Sequence, residues 1–264
     1  MISPSGVELQ EVAHYIEQLL GVSTTPDYPQ AMNGVQLGHQ GPVRRVAGAV
    51  DFSRATVEAA IAAGANLLLL HHGMFWGGLQ PIVGRQYERL RRLMMNDVAV
   101  YACHLPLDRD PDIGNAVLLA RALGLEPVEG FGAYRTITVG ASGACDLPTR
   151  DIAARLAAVA GEWDGHVVTA PMQVDRNRRT RRWAIVTGAG ASSETLREAA
   201  DRGIDTLVTG EGPHHTAVDA EEHGVVVLYA GHYATETLGI RALAQRVGER
   251  FDVPWDFLRL PTGT

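Results

Sequence analysis

Apolar runs of strand length that alternate with amphipathic, helix-length segments are the feature that most constrains this fold. Three such runs, at 44–50, 66–70 and 98–103, are separated by helical patterns at 53–64 and 84–96. Runs without polar alternation are typical of strands that are buried on both faces of a parallel sheet. The order therefore predicts an α/β protein with largely parallel strands.

The second half of the chain shows the same plan. A strand pattern at 181–188 leads to a helix pattern at 192–203, and further strand patterns follow at 204–210 and 225–231. The segment "EAAIAAGANLLLLHH" aligns with "EAADRGIDTLVTGEG", and "VAVYACHLPLD" aligns with "VVVLYAGHYATE". We interpret this similarity as a duplication of a βαβαβ unit, although unrelated α/β units can also look alike.

These patterns divide the chain into two related α/β lobes, residues 1–128 and 129–264, with mixed, mostly parallel sheets. Residues 131–180 contain one strand pattern, one helix pattern and a polar, arginine-rich run. We expect this segment to supply a connecting strand and helix that pack on one lobe. The sequence shows no low-complexity linker that would let the lobes move independently.

All basic residues are arginine, and the sequence contains no lysine. Schiff-base chemistry and a Walker-type phosphate loop, which both need lysine, are therefore excluded. The formal net charge of −7 argues against a broad nucleic-acid surface. The exception is "RNRRTRR" at 176–182, which we interpret as a solvated loop, although an anionic ligand or RNA could also use it.

The cysteine count and the hydropathy pattern indicate a cytoplasmic protein. Cys103 and Cys145 are too few for a disulfide framework. The N-terminal segment has an amphipathic helix pattern rather than that of a signal peptide. No apolar run approaches the roughly 20 residues that are needed to span a bilayer. We therefore expect no membrane association.

Residues that can bind metal ions follow three of the predicted strands. They are His71 and His72, His104 and Asp108, and His232 and Glu236. Ligands of open α/β sheets collect beyond the carboxyl ends of the strands, so we expect these side chains to meet there. Imidazole suits zinc, iron and related ions, and carboxylates can bridge two cations. The set predicts a dinuclear hydrolytic metal site in the cleft between the lobes.

The spacing of these residues sharpens the prediction. Residues four apart on a helix share one face, so His232 and Glu236 can reach one ion if a helix starts there. Neighbouring side chains in extended backbone diverge, so His71 and His72 are expected to serve two separate ions. A single histidine at a strand end is more often a hydrogen-bonded core residue, but six candidates at three strand ends favour a metal site.

Other polar residues carry weaker signals. His104 or Glu211 could move protons beside the metal, and His214 or His215 could act there as acid or base. The segment "TGAGASS" at 187–193 places glycines before a helix start, which is typical either of an anion site or of a plain turn.

At these residues the chain resembles the Nif-three-like dinuclear metal-centre proteins, a family also called GTP cyclohydrolase I type 2 homologues. The similarity covers nearly the whole chain, and "HLPLD" is similar to a short bacterial branch. Gly73 stands where many members have proline, a change that should alter the loop and leave the ligands. The motifs that carry the resemblance are "NGVQLG" (33–38), "LLLLHHGMFW" (67–76), "YACHLPLDRDPDIGNAVLLARALGL" (101–125), "VTGAGASS" (186–193), "DTLVTGE" (205–211) and "GHYATE" (231–236).

The resemblance implies five metal ligands. His72 and Asp108 would hold one ion, His71 and His232 the other, and Glu236 would bridge them, while His104 would line the site. The cofactor would be two divalent ions per chain, with zinc, iron and manganese all open. The family also implies a ring-like homo-oligomer, commonly a hexamer, whose metal centres face an internal cavity.

The resulting functional hypothesis is a dinuclear metal-dependent hydrolase that acts on a nucleotide-like or phosphorylated small molecule, as a GTP cyclohydrolase type 2-like protein would. The alternative is a non-catalytic protein that binds or delivers metal. A nucleic-acid-binding ring that uses the 176–182 arginines is a weaker alternative, because the chain is acidic. Fold and metal site do not by themselves fix a substrate.

Overall fold

The computed structural model describes residues 6–172, 174, 175 and 177–263. Arg176 of the predicted arginine run, and residues 1–5 at the start of the predicted first lobe, lie outside the described residues. The chain forms two compact units. The first contains residues 1–107 and 239–260, and the second contains residues 108–238 and 261–264.

Strands and helices alternate along most of the described chain. The strands are β1 Gly34–Leu37, β2 Val46–Asp51, β3 Leu67–His72, β4 Ala99–Ala102, β5 Glu129–Tyr134, β6 Ile137–Pro148, β7 Val168–Ala170, β8 Arg179–Val186, β9 Thr206–Thr209, β10 Val226–Tyr229 and β11 Trp255–Phe257. The helices are α1 Leu9–Leu20, α2 Arg54–Ala62, α3 Gly84–Met95, α4 Leu105–Asp108, α5 Asn115–Ala122, α6 Thr149–Gly161, α7 Ser193–Asp201, α8 His215–Glu222 and α9 His232–Phe251. No helix within these described ranges is both long and apolar enough to cross a membrane.

The sheet of the first unit has the strand order β1-β4-β3-β2-β11. β3 pairs in parallel with β2 and with β4, β11 pairs in parallel with β2, and β1 is antiparallel to β4. The central strand β3 is buried along its whole length because strands cover both of its edges and helices cover its faces. The strand continues through His71 and His72, two residues further than the sequence pattern predicted.

Helices close the core of the first unit. Ser53 caps the N-terminus of α2 by accepting a hydrogen bond from the Thr56 amide, and Val57 is buried against the sheet. α9 approaches β2 so closely that a Cβ atom on Gly48 would lie 3.0 Å from the Ala244 Cβ atom. A side chain at position 48 would therefore push the helix off the sheet.

The sheet of the second unit has the strand order β5-β6-β8-β9-β10-β7. β8, β9 and β10 are parallel, and α7 and α8 connect them along the chain. The pairings β5–β6, β6–β8 and β7–β10 are antiparallel. The trio β2-β3-β4 of the first unit has the same strand–helix–strand order, so the two units share the predicted repeat of parallel strands.

The predicted α/β class with two mixed sheets is confirmed, but the share of parallel pairing differs between the sheets. Among the described strands, parallel pairs dominate the first sheet, whereas three of the five pairings in the second sheet are antiparallel. The reason is the segment 131–180. Its predicted strand and helix correspond to β6 and α6, which both lie in the second unit, and the 12-residue β6 pairs with β5 in a long antiparallel hairpin.

The boundary between the units also differs from the predicted division at residue 128. Residues 108–128 belong to the second unit because α5 packs on β6 and β8. Residues 239–260 return to the first unit because β11 extends the first sheet beside β2. Local patterns do not reveal this return, since β11 has only three residues.

Candidate metal centre

Three histidines of the first unit lie together at the carboxyl ends of β3 and β4. His71, His72 and His104 are all buried, and one ring nitrogen from each lies within 4.8 Å of the others. The ring centroids of His71 and His72 are 4.8 Å apart, and those of His71 and His104 are 4.9 Å apart. We call this set the first histidine group. Its nitrogens are close enough together to hold a metal ion.

Each histidine of this group is oriented through its Nδ1 atom. His71 Nδ1 donates to the Cys103 carbonyl oxygen at 3.1 Å. His72 Nδ1 lies 2.8 Å from Asp51 Oδ1, and His104 Nδ1 lies 2.9 Å from Asp27 Oδ1. Carbonyl and carboxylate oxygens only accept, so Nδ1 carries the proton in each ring and Nε2 is the nitrogen with a lone pair for a cation.

The register of the sheet explains one of these partners. Parallel pairing of β2 with β3 places Asp51 directly beside His72, so the carboxylate and the ring meet at the same sheet edge. Asp51 was not among the predicted site residues, although it follows the predicted strand 44–50 in the same way as the histidines follow theirs. A search for polar residues at every predicted strand end would have found it.

Asp27 lies in a loop for which the sequence pattern predicted no role. It accepts from His104 Nδ1, from the Leu105 amide at 2.9 Å and from Asn33 Nδ2 at 2.8 Å. Burial opposes ionisation of this carboxyl group, but these donors outweigh it and hold the pKa of Asp27 below its usual value. Asp27 is therefore a carboxylate at neutral pH.

The "NGVQLG" motif supports the same region. Asn33 Oδ1 accepts from the His104 amide at 2.8 Å, and Gln36 Oε1 accepts from the Met74 amide at 2.6 Å. A Cβ atom on Gly73 would clash with the Gln36 amide group and approach Ala102. Glycine at position 73 therefore leaves room for the Gln36 side chain, which holds the loop after β3 through its hydrogen bond with the Met74 amide.

Two aromatic side chains adjoin the first histidine group. The Trp76 ring centroid is 4.6 Å from that of His72 and 4.5 Å from that of His104. Tyr28 is 43% exposed, and its ring centroid is 6.0 Å from that of His104. The sequence showed Trp76 within a motif, but no pattern indicated Tyr28.

The second unit contains a histidine and a glutamate one helical turn apart. α9 begins at His232, so His232 and Glu236 share one face of the helix, and His232 Nε2 lies 3.0 Å from Glu236 Oε2. His232 Nδ1 lies 2.6 Å from Glu211 Oε1. We call His232 and Glu236 the His232–Glu236 pair. Glu211 thus orients the His232 ring, a contact that competes with the proton-moving role predicted for it.

The carboxylates around His232 control its charge. Burial lowers the pKa of His232, but hydrogen bonds and charge from Glu236 and Glu211 outweigh this effect and raise the pKa to about 9. The ring is therefore protonated at neutral pH in the metal-free chain. A cation that binds Nε2 must displace this proton.

The glycine-rich segment after β8 packs against this pair. Gly188 has a left-handed φ of 61°, and a Cβ atom there would lie 3.0 Å from His232 Nε2 and closer still to the Glu236 carboxylate. The Gly188 amide donates to Thr235 Oγ1 at 3.0 Å. The start of the "TGAGASS" segment therefore packs closely against the His232–Glu236 pair.

The remaining predicted residues lie in the second unit. Asp108, at the end of α4, is buried, and its Oδ1 accepts from Asn115 Nδ2 at 2.8 Å. His214 and His215 are exposed at the start of α8. The assembly of His71, His72, Asp108 and the His232–Glu236 pair into one dinuclear centre stays a prediction.

The donor chemistry fits divalent metal ions. Imidazole nitrogens with carboxylate or carbonyl partners on their other nitrogen are typical of zinc and iron ligands, and the His232–Glu236 pair adds a carboxylate. The fold and these groups define an α/β protein of two related units with a possible histidine and glutamate metal-binding group. A family model for Duf34/NIF3 (NGG1p interacting factor 3) matches residues 7–261. The chain belongs to the Duf34/NIF3 family, and the resemblance stated from the motifs is confirmed.

Relatives in bacteria and archaea cover nearly the same length. A Deinococcus radiodurans protein named GTP cyclohydrolase 1 type 2 homolog is 38% identical over 255 residues, which cover 96% of this chain and 93% of the relative. A Halobacterium salinarum protein of the same name is 42% identical over 239 residues, which cover 90% and 93%. The crystal structure of TTHA1606 from Thermus thermophilus is 32% identical, with a TM-score of 0.79 over 98% of this chain and 100% of that chain.

Proposed function

We propose that this chain is a dinuclear metal-dependent hydrolase that acts on a nucleotide-like or phosphorylated small molecule. Its metal ligands would be His71, His72, Asp108, His232 and Glu236. One observation carries the proposal: His71, His72, His104 and His232 each have Nδ1 held by a carbonyl or carboxylate oxygen. Such a partner keeps the proton on Nδ1 and directs Nε2 to a cation, which is the usual arrangement of metal-binding histidines.

The proposed chemistry needs an activated water molecule and a way to move protons. Two divalent ions, when bound, would lower the pKa of a water molecule and polarise the substrate. Asp27 keeps His104 in the tautomer whose Nε2 can accept a proton, which suits a general base. Glu211 is half-exposed, and its contact with His232 suits an orienting role.

The names of the relatives suggest GTP as the first substrate to test. Opening of the guanine ring would need attack of water on the imidazole carbon, whereas cleavage of a phosphate ester would need in-line attack on phosphorus. Both reactions use an activated water and a negatively charged substrate. The proposal therefore covers nucleotides and other phosphorylated metabolites.

The experiment is elemental analysis of the purified chain, followed by assays of the metal-loaded form against GTP and a panel of phosphorylated metabolites. We expect about two ions per chain and saturable turnover of one compound. Glu236→Gln should lose both metal and turnover. The matched control is Glu249→Gln, an exposed glutamate further along α9, which should retain both. Full turnover in a metal-free Glu236→Gln variant would refute the hydrolase.

The second candidate function is metal binding or delivery without turnover. The raised pKa of His232 favours it, since a ring that must lose a proton to bind metal also regains one to release it. A delivery protein would exchange its ions rapidly with a chelator and show no saturable kinetics with any substrate. The hexamer and the cytoplasmic location stay predictions, and light scattering on the purified chain tests the first.

A further inference from the structure

A positively charged cavity lies between α2 and α3 of the first unit. Its volume is about 670 Å³, which falls within the range of small-molecule pockets. Four arginines line it together with one glutamate and an aromatic ring. These residues are Arg54, Arg85, Arg89 and Arg92, with Glu88 and Phe52.

The arginines are only partly neutralised. Glu58 pairs with Arg54 at 2.8 Å and with Arg92 at 3.4 Å. Glu88 contacts Arg91, which is not part of the lining, at 3.6 Å. Within the described part of the chain, Arg85 makes no hydrogen bond or ion pair. In a chain with a net charge of −7, this local excess of positive charge marks a site for an anion.

Arg89 is held in place before any ligand arrives. Its guanidinium lies 4.7 Å from the centroid of the Phe52 ring, and Nη1 donates to the Phe52 carbonyl oxygen at 3.3 Å. Burial, followed by the nearby charge of Arg85, lowers the pKa of Arg89. An anion between the two guanidinium groups would offset both effects.

The cavity adjoins the support of the first histidine group. Phe52 directly follows Asp51, whose carboxylate holds His72, and the Phe52 amide donates to the His72 carbonyl oxygen at 3.2 Å. One short segment of backbone therefore carries both a wall of the cavity and the partner of a predicted metal ligand.

We propose that this cavity binds the phosphate groups of a phosphorylated small molecule, with Arg85 and Arg89 as the main contacts. Guanidinium groups match phosphate oxygens with two parallel hydrogen bonds, and the apolar stems of the arginines and Phe52 can pack against the rest of the ligand. The inference names the substrate class of the proposed hydrolase and to that extent rests on it. Binding itself requires no turnover.

The test is isothermal titration calorimetry of the full chain, with its metal content measured, against GTP, guanosine and inorganic phosphate. The key variant is Arg85→Ala, and the control is Arg241→Ala. Arg241 is an exposed helical arginine outside the cavity, likewise without a hydrogen bond or ion pair among the described residues. We expect saturable GTP binding that Arg85→Ala weakens by about tenfold or more and that Arg241→Ala changes by less than about twofold.

The three ligands distinguish a phosphorylated molecule from free phosphate, and the outcomes distinguish this binding proposal from the hydrolase proposal. Guanosine should not bind, and inorganic phosphate should bind more weakly than GTP. Equal affinity for inorganic phosphate and GTP would overturn the assignment to a phosphorylated molecule. Unchanged GTP binding in Arg85→Ala would overturn the inference, because the phosphates would then bind elsewhere, for example at a metal ion. Absence of GTP binding below about 10 mM would overturn it as well. GTP binding that depends on Arg85, together with no turnover of GTP or of any metabolite in the panel, would refute only the hydrolase.

Discussion

At the scale of single residues, the partner of each histidine ring matters as much as the ring. Asp51 illustrates this, because its carboxylate accepts from Nδ1 of His72 and so fixes the tautomer of that ring. We predict that Asp51→Asn weakens metal binding by about 10–100-fold, since an amide donates as readily as it accepts and no longer enforces Nδ1–H. The measurement is competition with a chromophoric chelator.

The control for this variant is Asp256→Asn on the neighbouring strand β11. Asp256 forms an ion pair with Arg45 at 2.7 Å and has no contact with the first histidine group within the described residues. The metal affinity of the Asp256→Asn variant should match that of the wild-type chain. Equal loss in both variants would mean that Asp51 acts through the stability of the sheet and not through His72.

A second residue-scale prediction concerns Gly188. We expect Gly188→Ala to reduce metal binding by at least about tenfold, because the new methyl group would occupy space beside Glu236 and the backbone is left-handed there. Gly161→Ala at the end of α6 is the matched control, since a Cβ atom there meets no other atom within 4 Å. Elemental analysis of both variants, with circular dichroism to verify folding, decides the question.

At the scale of helices and strands, local patterns predicted the parts that are local. Apolar runs indicated β3, β4 and β10, and the helix that starts at His232 meets the condition under which the four-residue spacing brings His232 and Glu236 together. Asp27 could not be found in this way, because it lies 77 residues before His104 and no periodicity links the two positions. A strand pattern indicated β6, but β5 was not predicted because glycines interrupt its pattern, and its antiparallel pairing with β6 compensates for them.

The packing of α9 on β2 gives a prediction at this scale. Gly48→Val should lower the free energy of unfolding by about 1–3 kcal/mol, because the side chain would overlap Ala244 and the Ile240 carbonyl oxygen. Gly38→Val is the control, as a Cβ atom at position 38 meets no neighbour within 4 Å. Urea denaturation measures both. Equal stability of the two variants would show that the helix can move away from the sheet without cost.

At the scale of the whole molecule, the arginines have different roles. Three arginines of the 176–182 run form contacts within the chain: Arg179 and Arg181 both pair with Asp146, and Arg178 donates to the Asp205 and Gly224 carbonyl oxygens. The run was predicted to be a solvated loop, but its residues 179–182 belong to strand β8, where these contacts fix several of the arginines. Between α2 and α3, by contrast, Arg85 makes no ion pair with any described residue and leaves its positive charge uncompensated.

Metal binding should also be visible in the stability of the whole chain. An ion at about 100 times its Kd adds about 2.7 kcal/mol to the free energy of unfolding, so removal with a chelator should lower Tm by several degrees. Restoring the ion should restore Tm, and the Glu236→Gln variant should respond little to either treatment. Differential scanning calorimetry provides the measurement. A Tm that changes neither on addition of the chelator nor on addition of the ion would contradict the proposed assignment of the metal ligands.

The position of Trp76 has a practical consequence. Its indole ring lies against both His72 and His104, and the other tryptophan of the first unit is Trp255 on β11. The first histidine group therefore has its own fluorophore beside it. An ion that reaches these rings alters the emission of Trp76, so occupancy can be followed in real time without a dye, and a Trp76→Phe variant identifies the part of the signal that comes from this position.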